Sequence, residues 1–291
     1  MEYLERRRAL VEDRLRAVLD ATEPEAMTER LEHVSLSGGK RVRPMVTLLA
    51  FEAAGGGLVD GEVDDPSAAG DAVDYAVGVE LVHSASLVVD DIIDESTLRR
   101  GVDSAWTAFG HGPAIVTSDG LLGEAFALFS ADERAMEAVS EAMVELGEGE
   151  ASELVSSPSS EEEYMELARR KTGALFRAAA ELGAIAADAD AYTVESFGQY
   201  AEGVGVAFQI RDDVLDATAD PGELGKPTGQ DAAMGRPSLV EVTELTPEEA
   251  TERARERSER ALEALATADA VDSQAVEYLE DLAEFVVVRE R

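Results

Sequence analysis

Apolar residues recur at helical spacing along almost all of the 291-residue chain, and strong helix formers fill most positions between them. This periodicity predicts helices near residues 2–19, 25–33, 41–54, 67–94, 112–130, 132–147, 161–187, 191–217, 246–266 and 270–289. Breaker-rich segments such as "SGGK", "GGGLVDGEVDDP" and "SSPSS" separate these helices. No stretch alternates with a period of two for long enough to predict a sheet. We therefore expect a single all-α domain over residues 1–291.

The charge balance narrows the choice of partner. The chain has 62 acidic and 25 basic residues, a net charge of −37, which would repel the phosphates of nucleic acid. The acids are mixed with Leu, Val and Ala along the chain, so they predict a solvated coat on a folded protein, not a disordered tail. Such a coat resembles that of salt-in halophiles, where molar salt screens the repulsion. The absence of cysteine excludes disulfides, a thiolate nucleophile and Cys-ligated zinc.

The first twenty residues, "MEYLERRRALVEDRLRAVLD", have the pattern of an amphipathic helix and lack the apolar core of a signal peptide. No window contains the roughly 18 apolar residues that a membrane span needs. These observations predict a cytoplasmic protein with no membrane span.

Two similar acidic motifs each end a mostly apolar run. "DDIID" supplies Asp90, Asp91 and Asp94, and "DDVLD" supplies Asp212, Asp213 and Asp216. Because each residue of an α-helix turns about 100°, the three acids of a motif fall within an arc of roughly 100°. Clustered carboxylates in a low-dielectric setting need counter-charge. Mg²⁺ can supply this positive charge, because it prefers oxygen ligands and binds one or two carboxylates together with substrate phosphates and water.

The basic residues complete this pattern. Only three are lysines, and they lie in "GGKRVRP" (Lys40), "RRKTG" (Lys171) and "LGKPTG" (Lys226). Arg99 and Arg100 follow the first acidic motif. Arginine suits bidentate phosphate contacts and lysine suits point contacts. One cation group beside the acids and another on the glycine-rich loop would bind two diphosphates.

The stretches "GGKRVRP", "HSASLVVDDIIDESTLRRG", "KTGALFRAAAELGA", "AFQIRDDVLD" and "LGKPTGQD" resemble the trans-isoprenyl (polyprenyl) diphosphate synthases, in order and spacing, from about residue 33 to 240. The resemblance implies an isoprenoid-synthase-like helical bundle around a central active-site cavity. It also implies a homodimer that condenses isopentenyl diphosphate with an allylic diphosphate to give geranylgeranyl or longer polyprenyl diphosphate.

The resemblance assigns roles to individual residues. Three Mg²⁺ ions would bind with the allylic diphosphate, with Asp90, Asp94 and Asp212 as metal ligands. Asp91, Asp213, Asp216 and Lys171 would complete the catalytic set. The expected allylic diphosphate-binding residues are Arg99, Lys171, Thr172, Gln209, Lys226 and Arg236. The expected isopentenyl diphosphate-binding residues are Lys40, Arg43, His83 and Arg100. Ala85 and Ser86, both small, would set the product length.

Some positions depart from the family pattern: Val89 replaces a common His, "GVDSAW" with Asp103 and Ser104 replaces Gly-x-Pro-Thr, Ser118 replaces Gly, and Arg236 replaces Lys. Such departures leave altered activity open, so a non-catalytic subunit of a heteromeric synthase is one alternative. A terpene cyclase is a second, although its second metal site usually carries Asn, Ser/Thr and Glu.

Overall fold

The computed structural model describes residues 2–59, 62–63, 66–218, 238–243, 245–271 and 273–288. In chain order the helices are α1 (Glu2–Asp20), α2 (Glu25–Ser35), α3 (Val42–Ala53), α4 (Pro66–Ile93), α5 (Ala105–Phe109), α6 (His111–Phe129), α7 (Glu133–Val155), α8 (Glu161–Ala168), α9 (Ala174–Ala186), α10 (Ala191–Thr218), α11 (Leu239–Val242), α12 (Pro247–Thr267) and α13 (Gln274–Val288). A π-helical turn, Arg169–Gly173, joins α8 to α9. The hairpin strands are β1 (Leu58–Val59) with β2 (Glu62–Val63), and β3 (Leu98–Arg99) with β4 (Val102–Asp103).

The helices pack around α4, α9 and α10. Both α4 and α10 have 28 residues, a length of about 42 Å. α9 contacts α3, α4, α7 and α10, and most of its residues are buried, as expected for a helix whose residues are apolar except for Arg177 and Glu181. Gly183 permits its close crossing with α3, because a Cβ there would lie 2.1 Å from the Thr47 carbonyl oxygen. α4 and α10 therefore each end at one of the two acidic motifs.

The all-α prediction is confirmed, but several predicted helix limits and connections need correction. α13 begins at Gln274, four residues after its predicted start. α7 continues to Val155, eight residues beyond the predicted end, and a π turn interrupts the predicted helix 161–187. The short helices α5 and α11 were not predicted. Two short antiparallel hairpins occur where no sheet was expected. Strands of two residues are too short to leave an alternating pattern in a sequence.

No helix within the described ranges is both long and apolar enough to cross a membrane. α1 instead packs its apolar side, including Val11 and Leu15, into the core of the protein.

Candidate active site

The outer aspartates of each motif lie at the C-terminal end of a long helix. Asp94 directly follows α4, and its backbone N–H donates to the Asp90 carbonyl oxygen at 2.9 Å, so these two acids are one helical turn apart. Asp212 and Asp216 occupy the last turns of α10 in the same spacing. The C-terminus of a helix carries partial negative charge. Both acid pairs therefore lie where their own helix disfavours them, which increases the need for bound cations.

The middle aspartates have different surroundings. Asp91 is 3% exposed and accepts hydrogen bonds from Nε of Arg99 at 2.9 Å and from Nη2 at 2.5 Å. Asp213 is 5% exposed and accepts from the Tyr164 hydroxyl at 2.5 Å and from the Gln209 amide at 2.9 Å. Each middle aspartate thus holds a side chain for which diphosphate binding was predicted.

The acid chemistry suits Mg²⁺, since Asp90, Asp94, Asp212 and Asp216 offer hard oxygen donors in two i, i+4 pairs. Within the described part of the chain, no three or more acidic or histidine side chains form a group that could hold a metal ion. Mg²⁺ in proteins commonly keeps several waters and takes substrate phosphates as further ligands.

Lys171 and Thr172 lie in the π turn, a feature frequent at functional sites. Nζ of Lys171 forms ion pairs with Glu150, at 2.9 Å, and with Glu153. Burial lowers the pKa of Lys171, but the two carboxylates outweigh burial and leave the pKa raised. Thr172 donates its hydroxyl to the side-chain amide oxygen, Oε1, of Gln209 at 2.9 Å. A chain of hydrogen bonds therefore runs from the π turn through Gln209 and Asp213 to Tyr164.

The second cation group surrounds the start of α3. Lys40 is exposed, whereas Arg43 lies with its guanidinium 4.6 Å from the Phe176 ring centroid. Burial lowers the pKa of Arg43 to about 10. His83 is half-buried, and burial together with nearby Arg43 and Arg100 keeps its pKa well below the usual value. A neutral His83 can donate from one ring nitrogen without repelling its arginine neighbours.

Glu80 and Tyr164 were missed by sequence reasoning. Glu80 is 2% exposed and forms an ion pair with Arg41, and Arg100 lies 3.9 Å from the same carboxylate. Glu80 could have been singled out from the sequence, because it is the one acid in the apolar stretch "YAVGVELVHSASLVV". Nothing in the sequence around Tyr164 indicated its hydrogen bond to Asp213.

The predicted chain-length positions differ in burial. Ala85 is 1% exposed, and its carbonyl oxygen accepts a hydrogen bond from the Ser118 hydroxyl on α6 at 3.2 Å. Ser86 is half-buried and bonds to the His83 carbonyl oxygen of its own helix.

The structure describes the surroundings of three positions that depart from the family pattern. Ser118 makes the bond to α4 just described, and Val89 is 41% exposed. Asp103 accepts a hydrogen bond at its carbonyl oxygen from Nε2 of His33 at 2.7 Å, which joins the β3–β4 hairpin to α2. Lys226 and Arg236 lie outside the described residues.

The helical fold is that of an isoprenoid synthase, as its similarity to solved structures shows. The decaprenyl diphosphate synthase of Rhodobacter capsulatus superimposes with a TM-score of 0.88 at 28% identity, covering 100% of this chain and 98% of that one. The geranylgeranyl pyrophosphate synthetase of Pyrococcus horikoshii has a TM-score of 0.86 at 33% identity, covering 99% and 98%.

The chain belongs to the polyprenyl synthetase family, whose model matches residues 24–281. It is 35% identical over 266 residues to a short chain isoprenyl diphosphate synthase of Methanothermobacter thermautotrophicus, covering 88% of this chain and 78% of that protein. It is 30% identical over 300 residues to a geranylgeranyl diphosphate synthase of Methanosarcina mazei, covering 97% and 89%.

These findings confirm the predicted enzyme class. The protein is a prenyltransferase, a polyprenyl diphosphate synthase that elongates an allylic diphosphate with isopentenyl diphosphate. Members of the family generally use Mg²⁺. Nothing in the comparisons favours the terpene cyclase or the non-catalytic subunit.

Proposed function

We propose that the half-buried outer aspartates at the ends of α4 and α10 bind Mg²⁺ together with the allylic diphosphate, and that the buried middle aspartates organise the residues that bind this diphosphate. The observation that carries this proposal is the division of labour within each motif. Asp91 is committed to Arg99 and Asp213 to Tyr164 and Gln209, and both are buried. Asp90, Asp94 and Asp212 are the proposed metal ligands, and Asp216 extends the second pair.

The allylic diphosphate would contact Arg99, Lys171, Thr172 and Gln209, with Lys226 and Arg236 from outside the described residues. Bound Mg²⁺ would stabilise negative charge on the diphosphate as it departs. Lys171 carries its charge into this site in spite of burial, because Glu150 and Glu153 stabilise it. Thr172 and Gln209 are held in one hydrogen-bonded chain, which fixes their donors before substrate binds.

Lys40, Arg43, His83 and Arg100 would bind isopentenyl diphosphate. The carbon–oxygen bond of the allylic substrate breaks first, leaving an allylic cation and diphosphate. The double bond of isopentenyl diphosphate then attacks that cation and forms the new carbon–carbon bond. A proton leaves the adjacent carbon of the condensed product, and the released diphosphate is the proposed acceptor, since no side chain of the described site is placed as an obvious base.

The remaining assignments are also proposals. Small side chains at Ala85 and Ser86 support a product of geranylgeranyl length or longer. A single domain over residues 1–291 is supported by one core that includes residues from α1 to α13. A cytoplasmic location is also proposed.

A homodimer is supported by apolar residues exposed on α6 and α7. Ile115, Val116, Val144, Leu154 and Val155 are each more than half exposed. Such side chains are unusual on the surface of a chain with 62 acids, and a second copy would cover them. Analytical ultracentrifugation should give twice the mass of one chain, and a monomer at micromolar concentration would contradict the dimer.

The direct test is an assay of the purified chain with isopentenyl diphosphate, an allylic primer and Mg²⁺, followed by chromatography of the dephosphorylated products. Elongated alcohols are expected. Asp90→Ala and Asp212→Ala should each reduce turnover by about two orders of magnitude or more, because each removes a ligand from a metal that supplies several kcal/mol.

Asp13→Ala is the matched control for these variants, because Asp13 is an exposed acid on α1. It should retain wild-type turnover. Near-normal activity of either motif variant, with an unchanged circular dichroism spectrum, would contradict the metal assignment.

A further inference from the structure

A buried carboxylate lies beneath the second cation group. Glu80 is on α4, in the middle of the apolar core, and its side chain is 3% exposed. It forms an ion pair with Nη1 of Arg41, and one of its oxygens lies 3.9 Å from Nη2 of Arg100. A buried carboxylate is costly unless charges pair with it. The presence of a charged residue, Glu80, in this apolar part of α4 therefore indicates a specific role.

Glu80 lies where two separate segments of the chain meet. Arg41 ends the glycine-rich loop before α3, and Arg100 is in the turn of the β3–β4 hairpin. Nη1 of Arg100 also donates to the Gly38 carbonyl oxygen at 2.5 Å, a contact across 62 residues of sequence. A Cβ at Gly39 would approach the Arg100 guanidinium to 2.9 Å, so the loop and the hairpin are in direct contact.

The backbone at both arginines is left-handed. Arg41 and Arg100 each have φ of 53°. Arg100 and Gly101 together form a two-residue hairpin loop with positive φ at both positions, which is the type I′ arrangement. A non-glycine residue in this region is strained and persists only where its surroundings fix it. The carboxylate of Glu80 is a fixed point for both side chains.

The contacts of Arg41 separate its role from that of Arg43 and Arg100. Arg41 donates to Glu12 at 2.8 Å, to the Ser35 carbonyl oxygen at 2.6 Å and to Glu80, so its donors are committed within the protein. Arg43 and Arg100 have pKa values lowered by burial, and neighbouring arginines lower them further while Glu80 raises them. Without Glu80, these cations would repel one another in a poorly hydrated setting.

We propose that Glu80 is a positioning residue for isopentenyl diphosphate: it fixes the glycine-rich loop through Arg41 and the β3–β4 hairpin through Arg100, so that Arg43 and Arg100 converge on the same diphosphate. This inference rests on the proposed isopentenyl site and adds a residue that touches no substrate. The proposal implies that loss of the Glu80 carboxylate weakens the binding of isopentenyl diphosphate. This is the opposite of what charge alone predicts, because the loss removes a negative charge near an anionic substrate.

The test compares Glu80→Gln with Glu52→Gln. Glu52 is a matched control, because it is a largely buried carboxylate that pairs with Arg7 and lies near the C-terminal end of α3, whereas the proposed isopentenyl site surrounds the start of that helix. Both variants should lower the thermal midpoint. Only Glu80→Gln should raise KM for isopentenyl diphosphate, by about tenfold, while KM for the allylic primer stays within about twofold of wild type.

Two further variants keep the test decisive. Glu80→Asp retains the charge with a shorter reach and should give an intermediate KM for isopentenyl diphosphate. Glu12→Gln removes only the outer partner of Arg41, so it should fold even if Glu80→Gln does not, and should raise the same KM by a smaller factor. If Glu12→Gln and Glu80→Asp both leave that KM unchanged, or if both KM values rise equally, the positioning role is refuted. A wild-type chain that makes no product would instead refute the proposed function itself.

Discussion

Asp91 and Asp213, the middle residues of the two acidic motifs, show how one short pattern produces two roles. A helix places the second aspartate about 100° from the first, so it turns towards neighbouring elements while the first and last stay on another face. Asp91 meets Arg99 from the following hairpin, and Asp213 meets Tyr164 from α8. The motif thus combines proposed metal ligands with anchors for proposed substrate-binding side chains.

The Tyr164 hydroxyl offers a test of this anchoring role. Tyr164→Phe leaves buried Asp213 with one fewer donor, which should cost about 1–3 kcal/mol of stability. Because Asp213 also orients Gln209, KM for the allylic diphosphate should rise about tenfold. Tyr200→Phe is the matched control, since that buried hydroxyl donates to the Leu279 carbonyl oxygen far from the motifs. It should lower the thermal midpoint without changing KM, and equal KM values in both variants would contradict the anchoring role.

At this scale the sequence predicted the residue types of the site better than their partners. The doubled acidic motif is visible in the sequence because each copy ends an apolar run, and the three lysines are visible because lysine is otherwise absent from the chain. The ion pair of Glu80 with Arg41 joins residues 39 apart, and the bond of Tyr164 to Asp213 joins residues 49 apart. Such pairs depend on how helices cross, and a single sequence carries no direct record of that geometry.

Among the secondary-structure elements, long helices were predictable and interruptions were not. α4 and α10 have apolar runs that end in charged motifs, and their predicted limits differ from the structure by at most one residue. The π turn at Arg169–Gly173 leaves no break in the apolar pattern, since it adds a residue to a turn without introducing Gly or Pro at its start. α7 continues through "GEGEASELV" because Gly149 is buried, where a Cβ would lie 3.0 Å from the Lys171 side chain.

The packing of α4 against α6 bears on product length. Ala85 is 1% exposed, and its carbonyl oxygen accepts a hydrogen bond from Ser118 of α6, so a phenylalanine ring there must take up space that the proposal assigns to the growing prenyl chain. Five residues of helix, about 7.5 Å, separate it from Asp90, comparable to one or two isoprene units. Ala85→Phe should therefore shorten the main product by at least one five-carbon unit, measured by chromatography. Val89→Phe, on an exposed position of the same helix, should not. An unchanged distribution from an active Ala85→Phe enzyme would mean that other residues set the length.

The contact between α9 and α10 contains a titratable carboxylate. Burial raises the pKa of Glu181 to about 7, with Glu195 and Glu141 adding to the effect and Arg177 opposing it. Burial lowers the pKa of Arg177, but the carboxylates of Glu181, Glu195 and Glu202 outweigh burial and leave this pKa raised.

This carboxylate predicts a pH effect on stability. An acid whose pKa is higher in the folded than in the unfolded chain contributes stability below the unfolded value, and that contribution is lost as pH rises through the folded value. The stability of the wild type should therefore fall between about pH 4.5 and pH 7, by roughly 3 kcal/mol for a shift of this size. Glu181→Gln should abolish that fall in thermal melts at fixed salt, whereas Glu195→Gln, which removes one of the carboxylates that add to the shift, should only reduce it. Parallel wild-type and Glu181→Gln curves would contradict this assignment.

Among the described residues, many arginines form ion pairs with acidic side chains. The acids are so numerous, however, that most of them have no basic residue to neutralise their charge. Arg169, Arg170 and Arg177 each contact more than one carboxylate, and Arg41 contacts two. With 25 basic residues against 62 acids, pairing leaves a large excess of negative charge on the surface. A working environment of high salt is the hypothesis that this charge supports.

Salt titration tests that hypothesis and decides between two opposing effects. Added KCl weakens attractive ion pairs, but exposed pairs are each worth only about 0–1 kcal/mol. It also screens the repulsion within a chain of net charge −37, because the Debye length falls from about 10 Å at 0.1 M to about 3 Å at 1 M. Screening should prevail, so the thermal midpoint and the turnover should both rise from about 0.1 M towards 2 M KCl. Sucrose at matched osmolality separates this effect from solute exclusion, which stabilises folded chains without screening charge. A midpoint that is flat or falling across the KCl range, or an equal rise in sucrose, would rule out charge screening as the source of stability.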